Sequence, residues 1–335
     1  MMMKRLKVFL LTGALLLSAG CQNLGGTGKG EIVFADPQWD SIKFHNAVAG
    51  TIAQEVFGYD SWKEISGSTP ITHEGIKKGE IDVHMEEWTD NIAVYQEDLD
   101  KGKFQELSVN FDDNYQGLYV PRYVIEGDST RGIEAMAPNL KYVWDLLDYP
   151  EVFPDAENKS MGRIYGAIPG WEADKILHNK YLHYELDEKF VYFRPGSDAA
   201  LSAAIKSAYD KGEAIVAYYW EPTWLLGMLD MVLLEDKPFE RDSYLDGKTE
   251  LPPVRVTVAV SNKFAEDENN KDFMDFLGRY KTSSSLTSEA LAYMEEHEEN
   301  DYKVVARWFL KEHPKLIEEW LEPEDAAKLK SFLED

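Results

Sequence analysis

From residue 31 onward, short apolar runs alternate with longer amphipathic stretches. Residues 32–35 (IVFA) read as a first strand. Phe44, Val48, Ile52 and Val56 then recur at four-residue spacing, which puts them on one face of a helix, with Ser41 placed to cap it and Gly58 to end it. Residues 63–66 give a second strand and 70–78 a short helix stopped by Gly79; Ile81, Val83 and Met85 alternate with polar residues as in a third strand. The middle of the chain repeats the rhythm. Strand 164–168 is followed by helix 171–182 and strand 190–193. A helix started by Ser197 and stopped by Gly212 carries Leu201, Ala204, Ile205 and Ala208 on one stripe, and strand 214–219 follows it. Such alternation implies βαβ units and mainly parallel sheets. The extended segments 118–125 (LYVPRYVI) and 254–260 (VRVTVAV) can join the two halves. Two crossings predict one lobe of residues 31–120 plus 258–335 around a continuous lobe of residues 121–257. The last third is helical, with Val304, Val305, Trp308 and Phe309, then Leu316, Ile317, Trp320 and Leu321, as core stripes, while 154–159 and 266–271 read as exposed loops.

The N-terminus follows a different logic. Lys4, Arg5 and Lys7 precede an apolar run at 8–17 that is too short to span a membrane as a mature helix. Leu17-Ser18-Ala19-Gly20-Cys21 resembles a bacterial lipobox, which makes 1–20 a leader and Cys21 the lipid-bearing terminus. The alternatives are an ordinary secretory signal and a signal anchor. The chain has one Cys, so this thiol has no disulfide duty, and the Gly-rich stretch 21–30 reads as a flexible tether. These features place the folded part at the outer face of a cell membrane, held by lipid alone. The formal charge of −26 becomes −29 once Lys4, Arg5 and Lys7 leave with the leader. That excludes nucleic acid, whose phosphates demand basic surface, and disfavours adhesion to anionic lipid. Solubility explains most of the acid, although a negative field also gathers cationic ligands.

The chemistry lies in four tryptophans. Trp39, Trp88, Trp171 and Trp220 stand at or just past the ends of the first and third strands of each half. Open α/β sheets keep their ligands in the crevice at the carboxyl ends of strands. Indole faces converging there can hold a cation that offers no hydrogen-bond donor, as aromatic cages do. A trimethylammonium group is such a cation, and each desolvated contact contributes about 0.5–2 kcal/mol. Asp36, Asp40, Glu86, Glu87, Glu172 and Glu221 surround these positions. Trp62, Trp144, Trp308 and Trp320 lack the placement and read as packing residues; Trp224 is open to either reading. Tyr115, Tyr119, Tyr218 and Tyr219 are candidates to close a side of the cage, though strands favour Tyr in any case.

Glu87-Trp88-Thr89, Pro169-Gly170-Trp171 and the run from Tyr218 to Trp224 (YYWEPTW) resemble the tryptophan motifs of glycine betaine/proline betaine substrate-binding proteins of ABC importers. Asp36-Pro37-Gln38-Trp39 and Trp220-Glu221-Pro222 also resemble choline-binding receptors. The resemblance spans the mature chain. It implies an α/β, two-lobed type II periplasmic-binding-protein fold, each lobe a mainly parallel sheet flanked by helices with two hinge crossovers. It further implies a partner permease with its ATPase, a monomeric receptor and no cofactor. Trp88, Trp171 and Trp220 then form the cage with Trp39 as a fourth wall, and the backbone N–H groups of Glu172 and Ala173 receive a ligand carboxylate. Some betaine receptors carry a His shortly after the first cage Trp; Ile92 stands at that offset here, and His45 is a possible substitute. Asp40 is the candidate acceptor for a ligand hydroxyl.

Other chemistries find little support. H-E-x-x-H, G-x-S-x-G and the phosphate-cradling G-x-x-x-x-G-K-[ST] are absent from the sequence. His84 and Glu86 fall on one face of a strand, but two ligands without a third are thin grounds for a metal. A choline or carnitine receptor is the alternative within the class, and a lipoprotein hydrolase using paired carboxylates the alternative outside it. A sensor or scaffold that binds the same ligand without transport is a further one.

Overall fold

Among the described residues, ten strands form two five-stranded sheets built to one plan. The computed structural model describes residues 28–334, so the leader, Cys21 and most of the tether lie outside the described residues. In chain order the strands are β1 Glu31–Asp36, β2 Ser61–Ser66, β3 Val83–Trp88, β4 Phe104–Phe111, β5 Gln116–Pro121, β6 Gly162–Tyr165, β7 Phe190–Phe193, β8 Ala217–Trp220, β9 Met231–Leu233 and β10 Val256–Ser261. The terminal lobe has the order β2-β1-β3-β10-β4 and the middle lobe β7-β6-β8-β5-β9. Each sheet begins with three parallel strands, continues with an antiparallel crossing strand (β10 or β5) and ends on an edge strand (β4 or β9).

The sheets are therefore mixed, where the alternating pattern predicted mainly parallel ones. The physical reason is the crossing: a strand arriving from the other lobe enters against the direction of the βαβ core. The crossing also moves a boundary. β5 pairs with β8 and β9, so residues 116–120 belong to the middle lobe, and β10 pairs with β3 and β4 from Val256 onward.

Helix Asp40–Glu55 follows β1 and buries Phe44, Val48 and Ile52 at the predicted spacing. Its N-cap is Trp39, and Ser41 turns inward instead of capping. Gly79 ends helix Thr69–Lys78 in the left-handed conformation, and Ser197 caps helix Asp198–Lys211 by accepting from the Ala200 N–H at 3.2 Å. The C-terminal helices Ser284–Glu296, Tyr302–Glu312, Pro314–Trp320 and Pro323–Glu334 complete the terminal lobe. Val305, Phe309, Ile317 and Trp320 are buried there, Trp308 stacks on Tyr293 with centroids 4.0 Å apart, and Val304 is exposed. The two segments expected as exposed loops each bury one polar residue, Asp155 and Asn270. Asp155 pairs with Arg163 at 2.6 Å, and Asn270 accepts from the Tyr59 hydroxyl. Among the described residues no helix is long and apolar enough to cross a membrane.

Candidate functional site

The common plan of the sheets puts an indole at the same two places in each lobe. Trp39 lies three residues past β1, and Trp171 lies six past β6; Trp88 and Trp220 are the last residues of β3 and β8. The cleft brings the four together. Neighbouring rings meet edge to face: Trp88–Trp39 at 6.5 Å and 87°, Trp39–Trp171 at 5.5 Å and 89°, Trp171–Trp220 at 5.0 Å and 88°. Successive right angles turn a row of indoles into the walls of a box. All four are at most 7% exposed. With Thr69, Asn91, Glu172, Ala173 and Tyr218 they line a small cavity of about 30 Å³ in the cleft.

The lobes are closed over this space. The Trp171 indole N–H donates to the Pro37 carbonyl at 3.1 Å, and the Thr69 N–H donates to the Gly170 carbonyl at 3.2 Å. Gly170 has φ +96°, and a Cβ there would lie 3.0 Å from Ser68 Cβ, so this close approach requires glycine. Asn91 and Gln116 exchange side-chain amide hydrogen bonds, both at 3.2 Å, and Tyr244 reaches the Asp90 carbonyl.

Glu172 and Ala173 open helix Glu172–His183, where first-turn amides have no intrahelical acceptor and the dipole favours an anion. Trp171 caps this helix without a side-chain bond, which leaves those N–H groups available to the cavity. The Glu172 carboxylate is held by Lys175, at 2.7 and 2.9 Å.

Three expected participants stand elsewhere. Tyr115 is 55% exposed: β5 begins at Gln116 in the middle-lobe sheet, and the preceding residue lines a separate surface cavity with Lys180 and Asp236. Asp40 opens its helix, accepts from the Tyr302 hydroxyl at 2.5 Å and does not line the cage. His45 is fully buried one turn behind Ser41, with Nδ1 2.8 Å from the Tyr280 hydroxyl and Nε2 3.4 Å from Glu86. Burial pushes its pKa down to about 3 and keeps it neutral. Of the candidate tyrosines only Tyr218 lines the cavity; it stacks on Trp220 at 5.7 Å, and its hydroxyl donates to Gln116 at 3.1 Å. Thr69 and Asn91 were not legible as site residues. Thr69 is ordinary at a helix start, and Asn91 follows β3 in a short 3-10 turn with nothing in its spacing to set it apart.

A two-lobed α/β protein that closes an aromatic box in its cleft is a substrate-binding protein of the kind that serves membrane importers. The chain belongs to the OpuAC family, the substrate-binding domain of ABC-type glycine betaine transport systems, which matches residues 30–312. Receptors of this family act outside the cytoplasm, bind small ligands and deliver them to a permease. Among solved structures, the fold is similar to an ABC-transporter choline-binding protein in complex with choline, with a TM-score of 0.69 and 20% identity, over 90% of this chain and 98% of that one. It is similar to the glycine betaine/L-proline-binding protein of Borrelia burgdorferi, with a TM-score of 0.68 and 19% identity, over 89% and 99%. The lactococcal protein in its closed form with glycine betaine follows, at 0.66 and 16%, over 88% and 100%. At these identities the likeness is one of fold.

Proposed function

We propose that this receptor captures a quaternary ammonium compound of the glycine betaine or proline betaine type and hands it to its permease, from a position at the outer face of the membrane held through lipidated Cys21. The observation that supports this most directly is the box of Trp39, Trp88, Trp171 and Trp220, two walls from each lobe at mutual angles of 87–89°. A methylated ammonium surrenders little hydration and gains dispersion and cation–π contact on each face. Four desolvated faces at up to about 2 kcal/mol each reach roughly −8 kcal/mol, the micromolar range. The N–H groups of Glu172 and Ala173 take the carboxylate end. Because the ligand touches both lobes it stabilises the closed state by differential affinity. The receptor works as a monomer in this reading.

Choline or carnitine is the second reading. Choline is the one of the two that the lining favours, since that lining contains no Lys, Arg or His to meet a carboxylate, which carnitine carries and choline lacks. The hydrolase alternative loses ground on the same residues: glycoside hydrolysis needs two carboxylates flanking the bond, and Glu172, the one carboxylate among the lining residues, is tied to Lys175. Calorimetry and tryptophan-fluorescence titration with glycine betaine, proline betaine, choline and carnitine test the proposal. Binding of at least one of the four, lost in Trp88→Ala, is expected. No response to any of them, together with binding of a sugar or an amino acid, would refute it.

A further inference from the structure

Behind the terminal-lobe wall of the box lies a carboxylate with no exposure, Glu86 on β3. Its Oε2 accepts from the Trp39 indole N–H at 2.6 Å, the Ser41 hydroxyl at 3.1 Å and the Trp88 indole N–H at 3.3 Å. One oxygen thus fixes two cage rings that come from different elements, 87° apart. Its Oε1 faces His45 Nε2 at 3.4 Å. The buried Tyr280 hydroxyl has His45 Nδ1 as its hydrogen-bond partner, at 2.8 Å. His45 Nε2 has its hydrogen-bond partner in Thr287 Oγ1, 3.3 Å away, which leaves Glu86 Oε1 buried with no hydrogen-bond partner. On the strand itself, His84 Nδ1 accepts from the Glu86 backbone N–H at 3.3 Å. The three side chains that donate to the carboxylate are neutral, as is the His45 ring facing Oε1, and among the described residues no Lys or Arg pairs with it.

Three converging donors with no counter-cation suit an anion, and the missing positive charge is what a quaternary ammonium would bring to the other side of the indoles. A carboxylate accepting from an indole N–H also leaves the ring richer in electrons, which strengthens its face toward a cation. The same charge repels the carboxylate of a zwitterion, so part of its benefit cancels for a betaine. We propose that Glu86 is the positioning and charge-selecting residue of the cage: it sets the Trp39 and Trp88 planes and biases the site toward ligands of net positive charge. This inference rests on reading the cavity as a quaternary ammonium site. Burial pushes the Glu86 carboxyl up to about 7 against the pull of its three donors, so the charge is complete only on the alkaline side.

The experiment uses the mature protein, with tetramethylammonium, choline and glycine betaine as probes. Near pH 8.5, Glu86→Gln keeps an acceptor oxygen and loses the charge; tetramethylammonium and choline should weaken about 30-fold and glycine betaine about threefold, since only the first two lack a compensating repulsion. Glu86→Leu removes the acceptor as well and should weaken all three and shift tryptophan emission. In the wild type the ratio of choline to betaine affinity should fall as pH drops from about 8.5 to about 5.5, as the carboxyl protonates; any common effect on closure cancels in that ratio. A constant wild-type ratio, or equal losses for all three probes in Glu86→Gln, overturns the inference alone. Wild-type silence toward all three, and toward proline betaine and carnitine as well, overturns the receptor reading and this inference with it.

Discussion

The two walls of the cage are built by different means. In the terminal lobe, Trp39 and Trp88 are locked by Glu86 inside their own lobe, so that wall is complete before any ligand arrives. In the middle lobe, Trp171 donates its indole N–H across the cleft to Pro37, an acceptor it has only when the lobes are shut. One wall is preorganised and the other is finished by closure. In the proposed binding mode, a ligand docking first on the fixed wall pays little ordering cost, and closure then adds the remaining faces and the amides of Glu172 and Ala173.

The largest test of this contrast is at Trp171. Its ring touches both Trp39 and Trp220 and its N–H bridges the lobes. Trp171→Ala should weaken betaine binding about 100-fold, a loss of about 3 kcal/mol from one desolvated face and one hydrogen bond. Trp171→Phe keeps a face and loses the cross-cleft bond, so it should cost about fivefold, read in the dissociation rate by stopped-flow fluorescence. An effect confined to the association rate would contradict the closing role.

A smaller effect is expected from pH. Asp198 opens helix Asp198–Lys211 in the middle lobe, and its Oδ1 is enclosed without a partner. Burial first, and Asp40 of the terminal lobe second, push its pKa up to about 8, with Lys43 pulling the other way. The Tyr302 hydroxyl donates to Asp40 on the far side. In the open state Asp198 returns to water and an ordinary carboxylate pKa, so the closed form binds more protons between about pH 4 and pH 8. Closure is therefore favoured at low pH, and the advantage is lost as pH rises through about 8. Glycine betaine affinity should weaken about threefold to tenfold between about pH 6 and pH 8. Asp198→Asn should flatten that profile in calorimetry, and an unchanged profile would remove Asp198 from the account. The least effect is expected from Glu172→Gln, less than about twofold on betaine, because the side chain is engaged by Lys175 and the proposed binding mode uses only its backbone N–H. A collapse of choline binding in that variant would make the carboxylate a direct acceptor.

Much of this was written in the pattern of the chain. Alternation located the first three strands of each lobe, and the indoles fell at their carboxyl ends, because strand period and strand exit are local properties. What sequence left out depends on tertiary pairing. β4 is a polar-studded edge strand with weak alternation, and β9 spans three residues, so neither announces itself. His45 and Asp40 sit near cage tryptophans in sequence, yet the helix they share turns one toward Glu86 and the other toward Tyr302. Glu86 itself was visible only as one acid among many. Its meaning comes from Trp39, 47 residues away, folding back onto it.

Gly170 carries one more consequence. It does not line the cavity, yet a Cβ there would lie 3.0 Å from Ser68 Cβ, close enough to press that residue back. Any side chain there would act as a doorstop between the jaws, shortening the time cargo is held while the choice of cargo stays the same. Retention and recognition in this receptor can therefore drift apart through a single residue outside the aromatic box.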